Sequence, residues 1–128
     1  MIEALALTLL GAPASAVPAV QDEALGKEIV VIGNKLGTWR GPWRTKKGVV
    51  GCKTRKSSGD REVDAIGCES LIACVTPQVP TIQAIADSDF PKAEKNRRMT
   101  EAAQAVGPCL ASAREAGIRA LAQRRTGQ

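Results

Sequence analysis

The 128-residue chain contains no histidine and no tyrosine, one phenylalanine and two tryptophans. Without histidine there is no Ser-His-Asp or Cys-His arrangement, no imidazole ligand and no imidazole proton shuttle. Catalysis would have to run on Asp, Glu, Lys, Arg and Ser alone, so the sequence reads as that of a non-enzyme. The four cysteines include no C-x-x-C pair, which removes zinc ribbons and thioredoxin-like redox motifs. No cofactor or metal is expected. No apolar run reaches the roughly 20 residues needed to cross a bilayer, and there is no internal repeat or low-complexity tract. The length suits one domain.

Residues 4–16 are apolar and end in the small residues Ala14-Ser15-Ala16, the pattern of a signal peptide with cleavage after Ala16. Met1-Ile2-Glu3 departs from that pattern by carrying an acid where Lys or Arg is usual. Residues 17–27 read as a flexible lead-in and 28–128 as a single domain. Processing would leave eighteen cations against twelve acids, a balance of +6. A periplasmic or secreted protein is expected, and the composition suits the bacterial envelope.

Cys52, Cys68, Cys74 and Cys109 form an even set in a small exported chain, which implies two disulfides. Cys68, Leu71, Ile72 and Val75 fall on one helical face. Six residues along such a helix separate Cys68 from Cys74 by about 9 Å of rise, too far for a bridge. Of the two remaining connectivities, Cys52–Cys68 with Cys74–Cys109 is favoured. A turn at Ser57-Ser58-Gly59-Asp60 would fold position 52 back towards 68, and Cys74 would tie the middle helix to the last.

The expected fold class is α+β, a small antiparallel sheet followed by three to four helices. Glu28-Ile29-Val30-Val31-Ile32-Gly33 is a β-branched run that reads as a strand. Residues 48–56 and 61–66 read as the arms of a hairpin. Helices are expected over 68–76, along an apolar face to about Ala86, from a Ser88-Asp89 cap with Pro91 in the first turn to about Val106, and again from Gly107-Pro108 to about Arg125.

Charge placement carries the functional reading. Residues 35–61 hold nine cations against Asp60 alone, a local balance of +8. Within them Trp39-Arg40 and Trp43-Arg44 put indoles beside guanidinium groups, which suits phosphates, sulfates, uronic acids or carboxylates. Trp39, Arg40, Trp43, Arg44, Lys46, Lys47, Lys53, Arg55 and Lys56 are the candidate binding residues. The expected partners are an anionic polysaccharide, lipopolysaccharide or an acidic protein. Nucleic acid is disfavoured, since neither compartment nor motif points to it.

Three smaller signals accompany this. Glu28-Ile29-Val30-Val31-Ile32-Gly33 resembles the TonB box of TonB-dependent outer-membrane receptors, which implies strand addition to an energy-transducing partner. An inhibitor or accessory protein of a secreted or outer-membrane partner is the corresponding alternative function. Asp60, Glu62 and Asp64 alternate and would share one face of a strand, opposite the basic arm. Ser57 and Ser58 lie near Lys56, but a Ser–Lys nucleophile needs a buried, neutral lysine, and this one is expected in a charged turn.

Overall fold

A computed structural model describes residues 19–127; the proposed signal peptide lies outside them. Four α-helices and one hairpin follow in the order α1 (Ala19–Thr38), β1 (Trp43–Lys46), β2 (Val49–Cys52), α2 (Arg61–Val75), a 3₁₀ turn (Thr76–Gln78), α3 (Val79–Ala86) and α4 (Lys92–Thr126). The α+β class and both disulfides stand as expected. Cys52 joins Cys68 with Cα atoms 5.4 Å apart, and Cys74 joins Cys109 at 5.7 Å. Helices α1, α2 and α4 pack on one another, with the hairpin against α2 and α3 against α4.

The expected strand at 28–33 is instead the middle of α1, and residues 19–27, expected as a lead-in, form its first turns. Leu25, Ile29, Ile32 and Leu36 make a stripe at helical spacing that reaches the main apolar cluster, where Ile32 is fully buried. Val30 and Val31 stay exposed at 61% and 45%. A strand would spread these apolar residues over two faces, whereas a helix gathers four of them on one, and that packing overrides β propensity.

The hairpin also sits elsewhere in the chain. It pairs Trp43 with Cys52 and Lys46 with Val49, around Lys47-Gly48, whose φ values of 52° and 77° are those of a two-residue type I′ turn. The expected second arm, 61–66, is the start of α2. Asp60 caps it, accepting hydrogen bonds from the backbone N–H of Glu62 at 3.1 Å and of Val63 at 3.4 Å. Ser57 and Ser58 do not turn a hairpin. Both hydroxyls and the Ser58 N–H donate to the Asp64 carboxylate, folding the loop onto the helix it precedes. Asp60, Glu62 and Asp64 therefore follow a helical path rather than lining a strand.

Beyond α3 the two expected helices are one, running 35 residues with Pro108 inside it. Proline in a helix interior costs about 3 kcal/mol and frees the carbonyl four residues back. Here Gln104 and Pro108 are both exposed, so the break lies on the solvent side of the helix. Val106 and Leu110 on either side bury into the same cluster, and Cys109 is bonded to α2. Pro91 takes the capping position of α4. The Ser88 hydroxyl, expected to cap α4, donates to the Ile85 carbonyl at 2.6 Å and closes α3 instead.

Trp39 joins the helices to the hairpin. It is 3% exposed and lies in the cluster of Ile32, Leu36, Val63, Ile66, Leu71 and Leu121. Its Nε1–H donates to the Thr54 hydroxyl at 2.9 Å, which satisfies the buried indole. A Cβ added at Gly67 would lie 2.6 Å from the ring, so α2 approaches the indole only because residue 67 has no side chain. Gly67→Ala is expected to destabilise by about 1–3 kcal/mol, as overpacking does. Gly26→Ala, in open space on α1, should stabilise by about 0.5–1 kcal/mol. Denaturant unfolding of the two variants checks the pair, and equal effects would contradict the Trp39 contact.

Candidate functional site

The segment 40–56 folds into one antiparallel ribbon longer than its ladder of strands. Beyond Trp43↔Cys52 the Lys53 N–H donates to the Pro42 carbonyl at 3.2 Å, and Arg40 and Lys56 exchange two backbone hydrogen bonds of 3.0 Å. Doubling the chain back brings the cations of one arm beside those of the other. Within the ribbon are Arg40, Arg44, Lys46, Lys47, Lys53, Arg55 and Lys56, and no acid.

Strand alternation sorts these residues. Trp43, Val50 and Cys52 share the inner face, towards the helices, while Arg44 and Lys46 share the outer one. Arg44 stands opposite Gly51, which puts no side chain beside it. An open concavity of about 630 Å³ results, lined by Pro42, Arg44, Lys53, Thr54 and Arg55 among others. Its lining carries three cations, Arg44, Lys53 and Arg55, and no acid.

Two of the nine candidate residues are engaged in the fold. The Trp39 ring is buried and offers no face to a ligand. The Arg40 guanidinium donates to the Gly37 and Trp39 carbonyls at 2.9 and 2.7 Å, where it fastens the C-terminal end of α1. Arg44, Lys46, Lys47, Lys53, Arg55 and Lys56 are exposed, as is one side of Trp43, at 37%. The candidate surface that the fold brings together is these six cations and Trp43. Its concavity depends on Gly51 and Pro42, which charge counting passed over. The signal for them was the two-residue Lys47-Gly48 turn, which fixes the register and sets Gly51 against Arg44.

Six carboxylates are held in ion pairs outside the ribbon. Asp60 pairs with Lys35 and Arg125, Glu62 with Arg124 and Arg125, Glu28 with Arg125, Glu94 with Arg97 and Arg98, Glu101 with Arg97, and Glu23 with Lys27. Among the described residues no cation of the ribbon forms an ion pair. Glu62 and Glu69 do line a small hollow of about 220 Å³ with Arg124. The hydrogen bonds from Arg125 and Arg124 hold the Glu62 carboxyl below its ordinary range, which makes it a poor proton donor near neutrality. Among the described residues no group of three or more Cys, Asp or Glu is placed to hold a metal ion.

Burial pushes the Asp60 carboxyl up, but the Arg125 hydrogen bond, the Val63 N–H and the nearby Arg125 and Lys35 charges outweigh it and hold it low. Asp64 is likewise lowered, its burial outweighed by the Ser57 and Ser58 hydrogen bonds. Glu94 is lowered to about 2 by hydrogen bonds from Arg97 and then Arg98.

No family model, no curated protein and no solved structure matches this chain.

The depressed carboxylates set the direction of the acid response. A carboxyl whose folded-state value lies below its unfolded value stabilises the fold fully above the unfolded value, near about 4. That contribution is lost as pH falls through the folded-state value. Thermal unfolding between about pH 7 and pH 2 should show Tm falling on the acid side. Asp60→Asn keeps a side-chain cap while losing the charge, so it should lower Tm at neutral pH and lose less on acidification. A parallel acid limb in the variant would contradict the role given to Asp60.

Proposed function

We propose that this is an exported, non-catalytic protein that binds an anionic component of the cell envelope, a phosphorylated or sulfated glycan or lipid headgroup, on the basic ribbon. The observation carrying this reading is the segregation of charge. Six acids of the described residues, Glu23, Glu28, Asp60, Glu62, Glu94 and Glu101, pair with Lys27, Lys35, Arg97, Arg98, Arg124 and Arg125, while among the described residues no cation of the ribbon has an ion-pair partner around its open concavity. Like charges held together at that density repel one another, and an anionic ligand relieves the repulsion. Arg44 and Arg55 supply planar donors suited to phosphate or sulfate oxygens.

The two disulfides fit an oxidising compartment, and no described helix is long and apolar enough to cross a membrane. The alternative of strand addition through 28–33 loses its support, because that segment is helical with Ile32 buried and would have to unwind.

Retention on heparin and on immobilised lipopolysaccharide tests the reading. The wild type should be retained and elute earlier as the ionic strength needed to screen exposed charges is approached. Arg44→Ala/Lys53→Ala/Arg55→Ala should lose most of the retention. Lys27→Ala/Arg97→Ala/Arg124→Ala removes the same charge from paired sites and should change it little. Equal loss in both variants would mean net charge alone is responsible, and retention only by an acidic protein column would point to a protein partner instead.

A further inference from the structure

The fold does not require glycine at position 51. Among the described residues the left-handed region is taken by Lys47, Gly48, Gly59 and Gly127, not by Gly51. A Cβ added at Gly51 would meet only the Arg44 carbonyl oxygen, at 3.9 Å, an ordinary contact. Gly41, Gly67 and Gly117 differ, because there an added Cβ would lie 2.4, 2.6 and 2.9 Å from a neighbouring side chain. Glycine inside a strand weakens it, and it marks a bulge, a bend or a place where another group approaches the backbone closely. Gly51 lies in the regular part of the ladder, which leaves the close approach.

Strand alternation puts Arg44, Gly51 and Lys53 together on the ribbon's outer face. Arg44 stands directly across from Gly51, and Lys53 is its diagonal neighbour, about 7–8 Å away, a gap that two long side chains can close on one ligand. Further along, the Arg40 carbonyl accepts from the N–H of both Arg55, at 2.8 Å, and Lys56, at 3.0 Å. That is a bulge, which sets two residues against one and re-aims a side chain. Arg55 lines the same concavity as Arg44 and Lys53, and no other ionisable side chain does. Two planar guanidinium forks and one ammonium suit a compact group with several oxygens and more than one charge. A phosphate monoester carries three acceptor oxygens and about −1.5 to −2 charges near neutrality, whereas a sulfate ester or a carboxylate carries a single charge.

We infer that Gly51 is the specificity-determining position of the basic ribbon, keeping open an outer-face seat for a phosphate monoester held by Arg44, Lys53 and Arg55. This rests on the anion-binding reading and narrows it from any polyanion to a molecule ending in a phosphate group. The missing side chain lets the phosphate approach β2, the two guanidinium groups match its oxygens, and the third cation favours the doubly charged form. A side chain at position 51 would close the seat and leave every cation in place, which separates shape from charge.

Calorimetry with methyl phosphate and methyl sulfate, beside retention on heparin, tests this. At about pH 7.5 methyl phosphate should bind at least about tenfold more tightly than methyl sulfate. Its binding should weaken as pH falls to about 5, through the second ionisation of the ester at about 6. The chain has no histidine, so that limb belongs to the ligand, and heparin retention should stay level across it. Gly51→Val, a residue favoured in strands, should lose methyl phosphate binding and keep heparin retention. Arg44→Lys keeps the charge but not the planar fork, and should weaken methyl phosphate several-fold with little effect on heparin. Glucose 6-phosphate and vesicles containing phosphatidic acid tell a sugar from a lipid as carrier of the ester; binding to either supports the seat, and binding to neither overturns it. Equal affinity for the two methyl esters, or undiminished methyl phosphate binding in either variant, would also overturn the inference. Heparin retention without methyl phosphate binding would overturn it while leaving the anion-binding reading intact, and absence of both would remove the two together.

Discussion

The fold depends on the seating of one indole. Trp39 follows the last turn of α1, and its ring enters the space between α1, α2 and the start of the ribbon, where Gly41 and Gly67 both lack the atom that would collide with it. Its N–H is satisfied by Thr54, on the far arm of the same ribbon. One side chain therefore fixes the C-terminal end of α1, the face of α2 and both arms of the ribbon. The Cys52–Cys68 bridge closes the same junction covalently. In a chain with a single Phe and no Tyr, few other residues bring comparable apolar area to one point.

That anchor explains how a ribbon of like charges persists. A two-stranded hairpin is marginal by itself in water, and seven cations within 17 residues oppose its closure. Trp39, Thr54 and the disulfide hold the base of the ribbon, and the type I′ turn at Lys47-Gly48 sets its tip. The strands are thereby kept in register without internal counter-charges. The charges at the C-terminal end of α4 are used differently. Arg125 gathers Glu28, Asp60 and Glu62, tying the end of α4 to α1 and to the capped start of α2. Ion pairs serve the helical assembly, while among the described residues the ribbon's charges have no ion-pair partner.

Much of this was legible in the sequence, though not always for the right reason. Helical spacing and the geometric limit on a bridge exclude Cys68–Cys74, but the hairpin invoked to choose between the other two connectivities lies ten residues earlier than expected, at Lys47-Gly48. A Lys-Gly turn is a weak signal, because lysine pays to adopt positive φ, whereas Ser57-Ser58-Gly59-Asp60 resembles a turn strongly and serves as a helix entry. Ile29-Val30-Val31-Ile32 reads as a strand over a six-residue window. Over twelve residues Leu25, Ile29, Ile32 and Leu36 show the helical period. Pro108 reads as a break because its compensation, exposure of Gln104 and packing of Val106 and Leu110, is tertiary. At the candidate site the concentration of charge was visible, but the division of the two tryptophans was not. Trp39-Arg40 and Trp43-Arg44 look equivalent as dipeptides, and only the fold buries one indole and leaves the other exposed on one side.

The central claim is that the ribbon, held by Trp39 and free of counter-charge, is where an anionic ligand meets the protein. Backbone amide resonances followed during titration with a sulfated oligosaccharide test it most directly. The account predicts perturbations concentrated between Trp43 and Lys56, fading as salt is added, with the amides of α4 around Arg97 and Arg124 unmoved. Perturbations spread evenly over the cations of α4 and the ribbon, or centred on Arg97 and Arg124, would contradict it.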